Sequence, residues 1–354
     1  MILNELMTAM THVASQLIGT WFPAPDSRVG AGSMDPPHLA VEQYQRGGLH
    51  LVDQRGWIEF LEADMSCFNP RLFWLEKLLR ARRISLTVLA DAAVRHFIGA
   101  SSASATMISI HSPFYPSLLR QIARPPLYLT VLGNAELLRR GCVAVIGSRK
   151  ASYEALRASV DVGMTLARSP WTVVSGGAIG CDIAVHEGML VSGEENISAI
   201  IVFAGGLHTR FPRCNDRTFS EVLSRGGLLV SERLWFQDVL PRDFPARNRI
   251  VSGMCAVTSV MSAAPRSGSL ITAQEALEQG RDVYVFDIRG DDARMDGSRQ
   301  LISDGACPFF TPDELLDFLS QGYQVVPNAD FGSLGQTCQV ANYIGTFDAE
   351  QILN

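Results

Sequence analysis

An α/β fold, with a mostly parallel sheet and helices on both faces, is predicted by three features of residues 106–320. Short apolar runs recur, and each stops at small residues. Segments with apolar residues at helical spacing separate the runs. The stops are glycine-rich and follow the strand candidates, as at the carboxyl edge of a parallel sheet, where ligands bind.

Taken in order, Ser101-Ser102-Ala103-Ser104-Ala105 marks a boundary with a mostly helical N-terminal region, 1–105. Within it, Met1–Trp21 fits an amphipathic helix and Pro23 to Pro37 a linker of Pro, Gly, Ser and Asp. Asn69-Pro70 reads as an N-cap with proline at the first helical position, opening a helix through Arg83, and Ile84–Ile98 keeps helical periodicity. The basic run Arg80-Ala81-Arg82-Arg83 reads as a solvated helix end.

Ile108-Ser109-Ile110 and Leu127–Gly133 are strand candidates ahead of the core. The core opens with Cys142-Val143-Ala144-Val145-Ile146, a buried strand that stops at Gly147-Ser148-Arg149. Tyr153–Ser169 follows with Leu156, Val160, Met164 and Leu166/Ala167 recurring at helical spacing. Trp171–Val174 is the next strand, ending at Ser175-Gly176-Gly177, and Ile183–Val191 the next helix. The alternation continues through strands Ile197–Phe203, Leu228–Glu232, Val257–Met261 and Val283–Asp287. Helices are expected at Arg217–Arg225, at Arg247–Ala256 and from Ser267-Gly268-Ser269 through Gln279, with Gly280 as the stop. Thr311-Pro312-Asp313-Glu314 carries cap, first-turn proline and acid in the order of a capping box. Residues 321–354 read as a tail or small appendage.

Composition narrows the function classes. An apolar fraction of 47% and a charged fraction of 19% are those of a folded globular protein of 354 residues. The net charge of −6 gives no bulk signal for nucleic acid. Lys77 and Lys150 are the only lysines, so arginine supplies the remaining basic charge. Either genomic base composition or phosphate recognition by arginine's planar fork accounts for that bias. Seven scattered cysteines with no CxxC or Cys/His spacing predict buried thiols in a reducing cytoplasm and no metal site. No charged-then-apolar leader and no membrane-length apolar run are visible.

Four strand ends carry small, donor-rich turns: Gly147-Ser148-Arg149, Ser175-Gly176-Gly177, Ala204-Gly205-Gly206 and, one element later, Ser267-Gly268-Ser269. Glycine lets a ligand approach the main chain, and helix N-termini present free N–H groups with positive partial charge, which suits phosphate. Any one such turn needs glycine for its own geometry; four in register with Arg149 point to a phosphate-bearing ligand. Two further segments read as loops that add charge. One is His208-Thr209-Arg210-Phe211-Pro212-Arg213 with Arg217; the other is Arg242-Asp243-Phe244-Pro245-Ala246-Arg247-Asn248-Arg249. Their interleaved aromatics and arginines are either a single-stranded nucleic-acid surface or Phe-Pro packing on the sheet edge. Enzymatic signals are weak. His186 lies four residues after Asp182, an Asp/His pair of the structural kind; no G-x-S-x-G elbow, Walker A motif or G-x-G-x-x-G turn occurs.

Five blocks carry a resemblance. Val143-Ala144-Val145-Ile146-Gly147-Ser148-Arg149 is the first, followed by Ser175-Gly176-Gly177-Ala178-Ile179-Gly180-Cys181-Asp182 with His186. Then come Phe244-Pro245-Ala246-Arg247-Asn248-Arg249-Ile250-Val251 and Ser267-Gly268-Ser269-Leu270-Ile271-Thr272-Ala273, and last Gly297-Ser298-Arg299-Gln300-Leu301-Ile302 with Gly305-Ala306. In that order they resemble the DNA-processing protein A (DprA, also Smf) family over about Ile108 to Ser320. The resemblance implies a Rossmann-like domain that binds single-stranded DNA and protects it during natural transformation. It also implies RecA recombinase loading, a homodimer, and neither an enzyme nor a cofactor. Carried over, Arg149 holds a backbone phosphate; Ser148, Gly176, Gly177, Ser267, Gly268 and Ser269 line the pocket; Arg247 and Arg249 rim or brace it. The chain departs from the family pattern at Glu154, Cys181 and Ser262 and lacks a Pro-Gly at Asp287-Ile288-Arg289. The rival reading is a sensor of nucleotides or small phosphorylated ligands within the same superfamily.

Overall fold

A computed structural model describes residues 99–322, apart from 101, 111 and 289–291, together with His96. The helices and linker expected before His96, and the tail after Gly322, lie outside the described residues.

Nine strands form a single sheet: β1 (Thr106–Ser109), β2 (Tyr128–Gly133), β3 (Cys142–Gly147), β4 (Thr172–Ser175), β5 (Ala199–Phe203), β6 (Leu228–Ser231), β7 (Val257–Ser262), β8 (Asp282–Phe286) and β9 (Cys307–Phe309). Their order is β1-β2-β6-β5-β4-β3-β7-β8-β9. From β6 to β9 every neighbour pairs parallel, whereas β1 on β2 and β2 on β6 are antiparallel. The expected mostly parallel α/β sheet is therefore what the chain forms. β1 and β2 fall on the two strand candidates ahead of the core, whereas their antiparallel pairing, and β9, whose Pro308 breaks the strand signal, were not expected from the sequence.

The helices are α1 (Ser117–Arg120), α2 (Tyr153–Ala167), α3 (Cys181–Val191), α4 (Asp216–Ser224), α5 (Asp243–Gly253), α6 (Gly268–Glu278), α7 (Asp296–Ser303) and α8 (Pro312–Gly322). Strand alternation divides them between two cores. On β3, Val143 and Val145 join a cluster with Val162 of α2, Val185 of α3, Phe219 of α4 and Leu315 of α8. Ala144 and Ile146 point the other way, into a cluster with Leu119 of α1, Ile250 of α5, Ala273 of α6 and Leu301 of α7. Both faces of the sheet are thus covered, which is why its strands read as unbroken apolar runs rather than as alternation.

From β3 the chain steps outward through β4, β5 and β6, then returns to lay β7 on the opposite side of β3. The strand order reverses there, and in open α/β sheets ligands bind at the carboxyl ends beside that reversal. The turns after β3, β4 and β7 surround it.

The end signals hold where side chains satisfy the helix termini. Ser152 Oγ accepts from Ala155 N at 3.1 Å ahead of α2. At α8 the cap half of the box forms, with Glu314 N donating to Thr311 Oγ1 at 3.3 Å, while the Glu314 carboxylate accepts from Phe310 N at 2.7 Å, one residue ahead of the cap. The segment Arg242–Arg249 differs from expectation, because α5 already begins at Asp243. Asp243 is 2% exposed; it accepts from Leu240 N at 2.8 Å and pairs with Arg233 at 2.7 Å. Pro245 falls in the first turn, where a helix needs no N–H from it. Among the described residues no helix is long and apolar enough to cross a membrane, and no His/Cys/Asp/Glu group is placed to hold a metal.

Candidate nucleic-acid interface

Arg149 leaves β3 at the strand reversal and is exposed. Its guanidinium lies over the ring of Phe244, with Cζ 4.9 Å from the centroid. Phe244 in turn meets Phe211 edge-on at 5.9 Å, and Phe211 is 46% exposed. Two segments far apart in the chain therefore meet the first turn in one cation–aromatic row. Arg149 makes no ion pair among the described residues, so its fork is available to an incoming anion. Beneath it the turn is braced: Ser148 is buried, its Oγ accepts from Lys150 N at 3.1 Å, and its carbonyl accepts from Cys181 N at 3.3 Å.

Behind the row sits a buried charge. Arg247 is 6% exposed and donates Nη1 to the Val202 carbonyl at 2.8 Å. Its Nε has no hydrogen-bond partner, and it makes no ion pair among the described residues. Its guanidinium lies so close over Gly176 that a Cβ there would overlap it. Burial pulls its pKa down while the Asp182 carboxylate opposes that and Arg149 adds to it. Asp182 is also buried, which pushes its carboxyl up; Arg247 and the backbone N–H groups of Gly147, Ala178 and Gly176 pull it back. The Gly147 N–H reaches Asp182 Oδ1 at 3.2 Å. Asp182 thus ties the turns after β3 and β4 together. The Asp182/His186 pair does not form: His186 is fully buried, both its ring nitrogens lack a partner, and burial lowers its pKa to about 3.

The four glycine turns are not equivalent. Gly177 is held at φ +63° and its carbonyl accepts from Asn215 at 3.1 Å, while Ser175 is buried with an unpartnered hydroxyl. Gly205 and Gly206 are both buried. Ser231 Oγ donates to Gly205 O at 2.8 Å, Gly206 N donates to Gln237 O at 2.7 Å, and a Cβ on Gly206 would run into the carbonyls of Leu234 and Trp235. That turn is filled by its own chain. At the start of α6 the reverse holds. Gly268 is exposed at ordinary φ, and a Cβ there would meet nothing within 4 Å. The flanking Ser267 hydroxyl is buried without a partner, and Ser269 is buried. Ser298 fixes this turn from behind, its Oγ accepting from Ala263 N at 2.9 Å.

Of the remaining predicted residues, Arg249 is a brace, paired with Glu232 at 2.7 Å and donating to Ala246 O at 2.9 Å. Asn248 is half-buried beside it, and Arg213 is exposed just past Phe211. Sequence reasoning missed Arg233 and Glu232. Both follow β6 and look like ordinary loop charges, yet they set the orientation of α5. The assembled edge offers an arginine fork, aromatic faces and main-chain donors.

The family described as DNA recombination-mediator protein A matches residues 106–320. Protein Smf of Escherichia coli K12 is 37% identical over 223 residues, which is 63% of this chain and 59% of that protein. DNA processing protein DprA of Streptococcus pneumoniae is 37% identical over 198 residues, 56% of this chain and 68% of that one. The matched part of the chain thus spans well under the whole of the Escherichia coli relative. Among solved structures, DNA processing protein A of S. pneumoniae aligns over 79% of this chain and 91% of its own, with TM-score 0.59 and 31% identity. That of Helicobacter pylori, described for its single-stranded DNA binding mode, aligns over 63% and 99%, with TM-score 0.56 and 25% identity.

Proposed function

The chain belongs to the DNA recombination-mediator protein A family, and from that premise we propose that it binds single-stranded DNA with little sequence preference. The observation that carries the reading is the Arg149–Phe244–Phe211 row at the strand reversal. Bases of any identity stack on aromatic faces while arginine pairs with the backbone between them, and nothing in that chemistry reads a base edge. In this reading Arg149 takes a phosphate with the N–H groups of Gly177, Ser267, Gly268 and Ser269 nearby, while the Gly176 N–H stays on Asp182. Arg213 and Asn248 flank the strand, and Arg247 and Arg249 hold the wall. Residues 106–320 are the binding unit, with 1–105 and 321–354 appended to it. Protection of the strand, loading of RecA, homodimer formation and a cytoplasmic, non-catalytic role extend the same proposal.

Competition among poly(dT), poly(dA) and duplex at fixed salt tests it; tighter binding to duplex would overturn it. Affinity for oligo(dT) should fall steeply with salt despite the net charge of −6. Three phosphate contacts on a single strand cost roughly 20-fold between about 50 and 200 mM salt. A change within about twofold would leave no phosphate contacts to explain. Nucleotides that raise the melting temperature of a protein unable to shift oligo(dT) would favour a small-ligand sensor instead.

A further inference from the structure

The segment between β6 and α5, residues 232–242, covers Gly206 and ends at the start of the helix that carries Phe244 and Arg247. Its hydrogen bonds run in series. His208 N donates to Trp235 O at 3.0 Å and Gly206 N to Gln237 O at 2.7 Å. Further on, Leu240 N donates to Asp243 Oδ2 at 2.8 Å and Arg233 to Asp243 Oδ1 at 2.7 Å. One of the loop's buried N–H groups is taken up from far outside it. Trp235 N donates to Nδ1 of His96 at 2.8 Å, across 139 positions of chain.

His96 is 2% exposed, and burial lowers its pKa to about 4, so the ring is neutral and Nδ1 is an acceptor. The ring proton then sits on Nε2, which lies 3.2 Å from the Met107 sulfur, a weak acceptor at the start of the sheet. Gly99 lies against the same loop. A Cβ on Gly99 would run into the Trp235 ring and come within 2.6 Å of Phe236. Trp235 itself is 5% exposed.

We propose that His96 is a positioning residue: by accepting the Trp235 N–H it pins the 232–242 loop, and the pinned loop sets the start of α5 so that Phe244 meets Arg149. The affinity consequence rests on the single-stranded DNA reading above; the pinning itself does not. A loop that is only partly in the competent arrangement lowers apparent affinity by the fraction in place, with no change in which groups touch the ligand.

The test uses the full chain as parent, His96→Leu, which has no acceptor, and His96→Asn, whose Oδ1 replaces Nδ1. Amide exchange at Gly206, His208 and Trp235 should quicken about tenfold in His96→Leu and return toward the parent rate in His96→Asn. Oligo(dT) affinity should fall about three- to tenfold in His96→Leu and recover in His96→Asn, while the salt slope stays that of the parent because the same phosphates are met. Should His96→Leu not fold, His96→Ser, whose hydroxyl falls short of Trp235, takes its place. Unchanged exchange at those amides overturns the pinning, whatever the DNA result. Faster exchange with parent-like affinity in a protein that binds oligo(dT) overturns the coupling to the site. A parent that does not bind oligo(dT) overturns the function proposed above and leaves the exchange result to decide the pinning.

Discussion

The two halves of the carboxyl edge use the same residue for opposite ends. After β5, Gly206 has the carbonyls of Leu234 and Trp235 where a side chain would go, and its N–H is spent on Gln237. At the start of α6, Gly268 has ordinary φ and open space, so nothing in the protein itself demands a glycine there. The first turn is closed by its own chain. The second keeps the main chain bare toward solvent, beside the unpartnered Ser267 hydroxyl. A glycine in a strand-to-helix turn therefore says nothing about ligands until one knows what would meet its Cβ.

Substitutions on each side sharpen that contrast. The largest effect is expected from Gly206→Ala, which drives a methyl into two backbone carbonyls that cannot yield without moving the loop. It should cost about 3 kcal/mol of stability, seen as a lower melting temperature, and, because the loop it moves leads into α5, lower the oligo(dT) affinity of the folded fraction about three- to tenfold at the parent's salt slope. Next, Arg149→Ala should leave melting near that of the parent, since the side chain is exposed and makes no ion pair among the described residues. It should weaken oligo(dT) binding by about 1.5–3 kcal/mol, roughly 10- to 150-fold. A variant that melts normally and binds like the parent would remove Arg149 from the site. Arg149→Lys should recover part of the loss, because lysine keeps the charge without the fork. Smallest is Gly268→Ala, expected to raise stability by at most about 0.5–1 kcal/mol while weakening DNA binding. If its affinity matched the parent's, the strand would not run over that turn, and the contrast with Gly206 would lose its functional meaning.

Legibility followed the same division. Residues 142–191 were readable because fully buried parallel strands are apolar without interruption; the buried helix faces were not, since α2 buries Ala155, Ala158, Val162 and Leu166 instead of Leu156, Val160 and Met164, and α3 is buried almost all round. The β1–β2–β6 ribbon was not, since four- and six-residue runs do not announce which neighbour they pair with or in which direction. Arg247 and Arg249 look alike in the sequence, two positions apart on α5. One points inward over Gly176 and the other pairs with Glu232, a difference set by the sheet and not by local pattern. Phe211 and Phe244 were visible as aromatics among arginines. That they meet each other and Arg149 depends on how α5 begins, and Arg233 and Asp243 decide that from outside either motif.

The position of β3 also has a kinetic consequence. Val143 pairs with Val173 on one side and with Val257 on the other, closing a loop nearly four times as long. At about 0.6 kcal/mol per doubling, the second closure costs roughly 1.2 kcal/mol more in chain entropy, and it must wait for β4, β5 and β6 to be out of the way. The wall bearing Arg149 is therefore expected to be in place before the wall bearing Gly268. During synthesis a chain halted before Val257 would hold half a cleft, so acquiring affinity for a ligand at that edge would time the last step of folding and not the first.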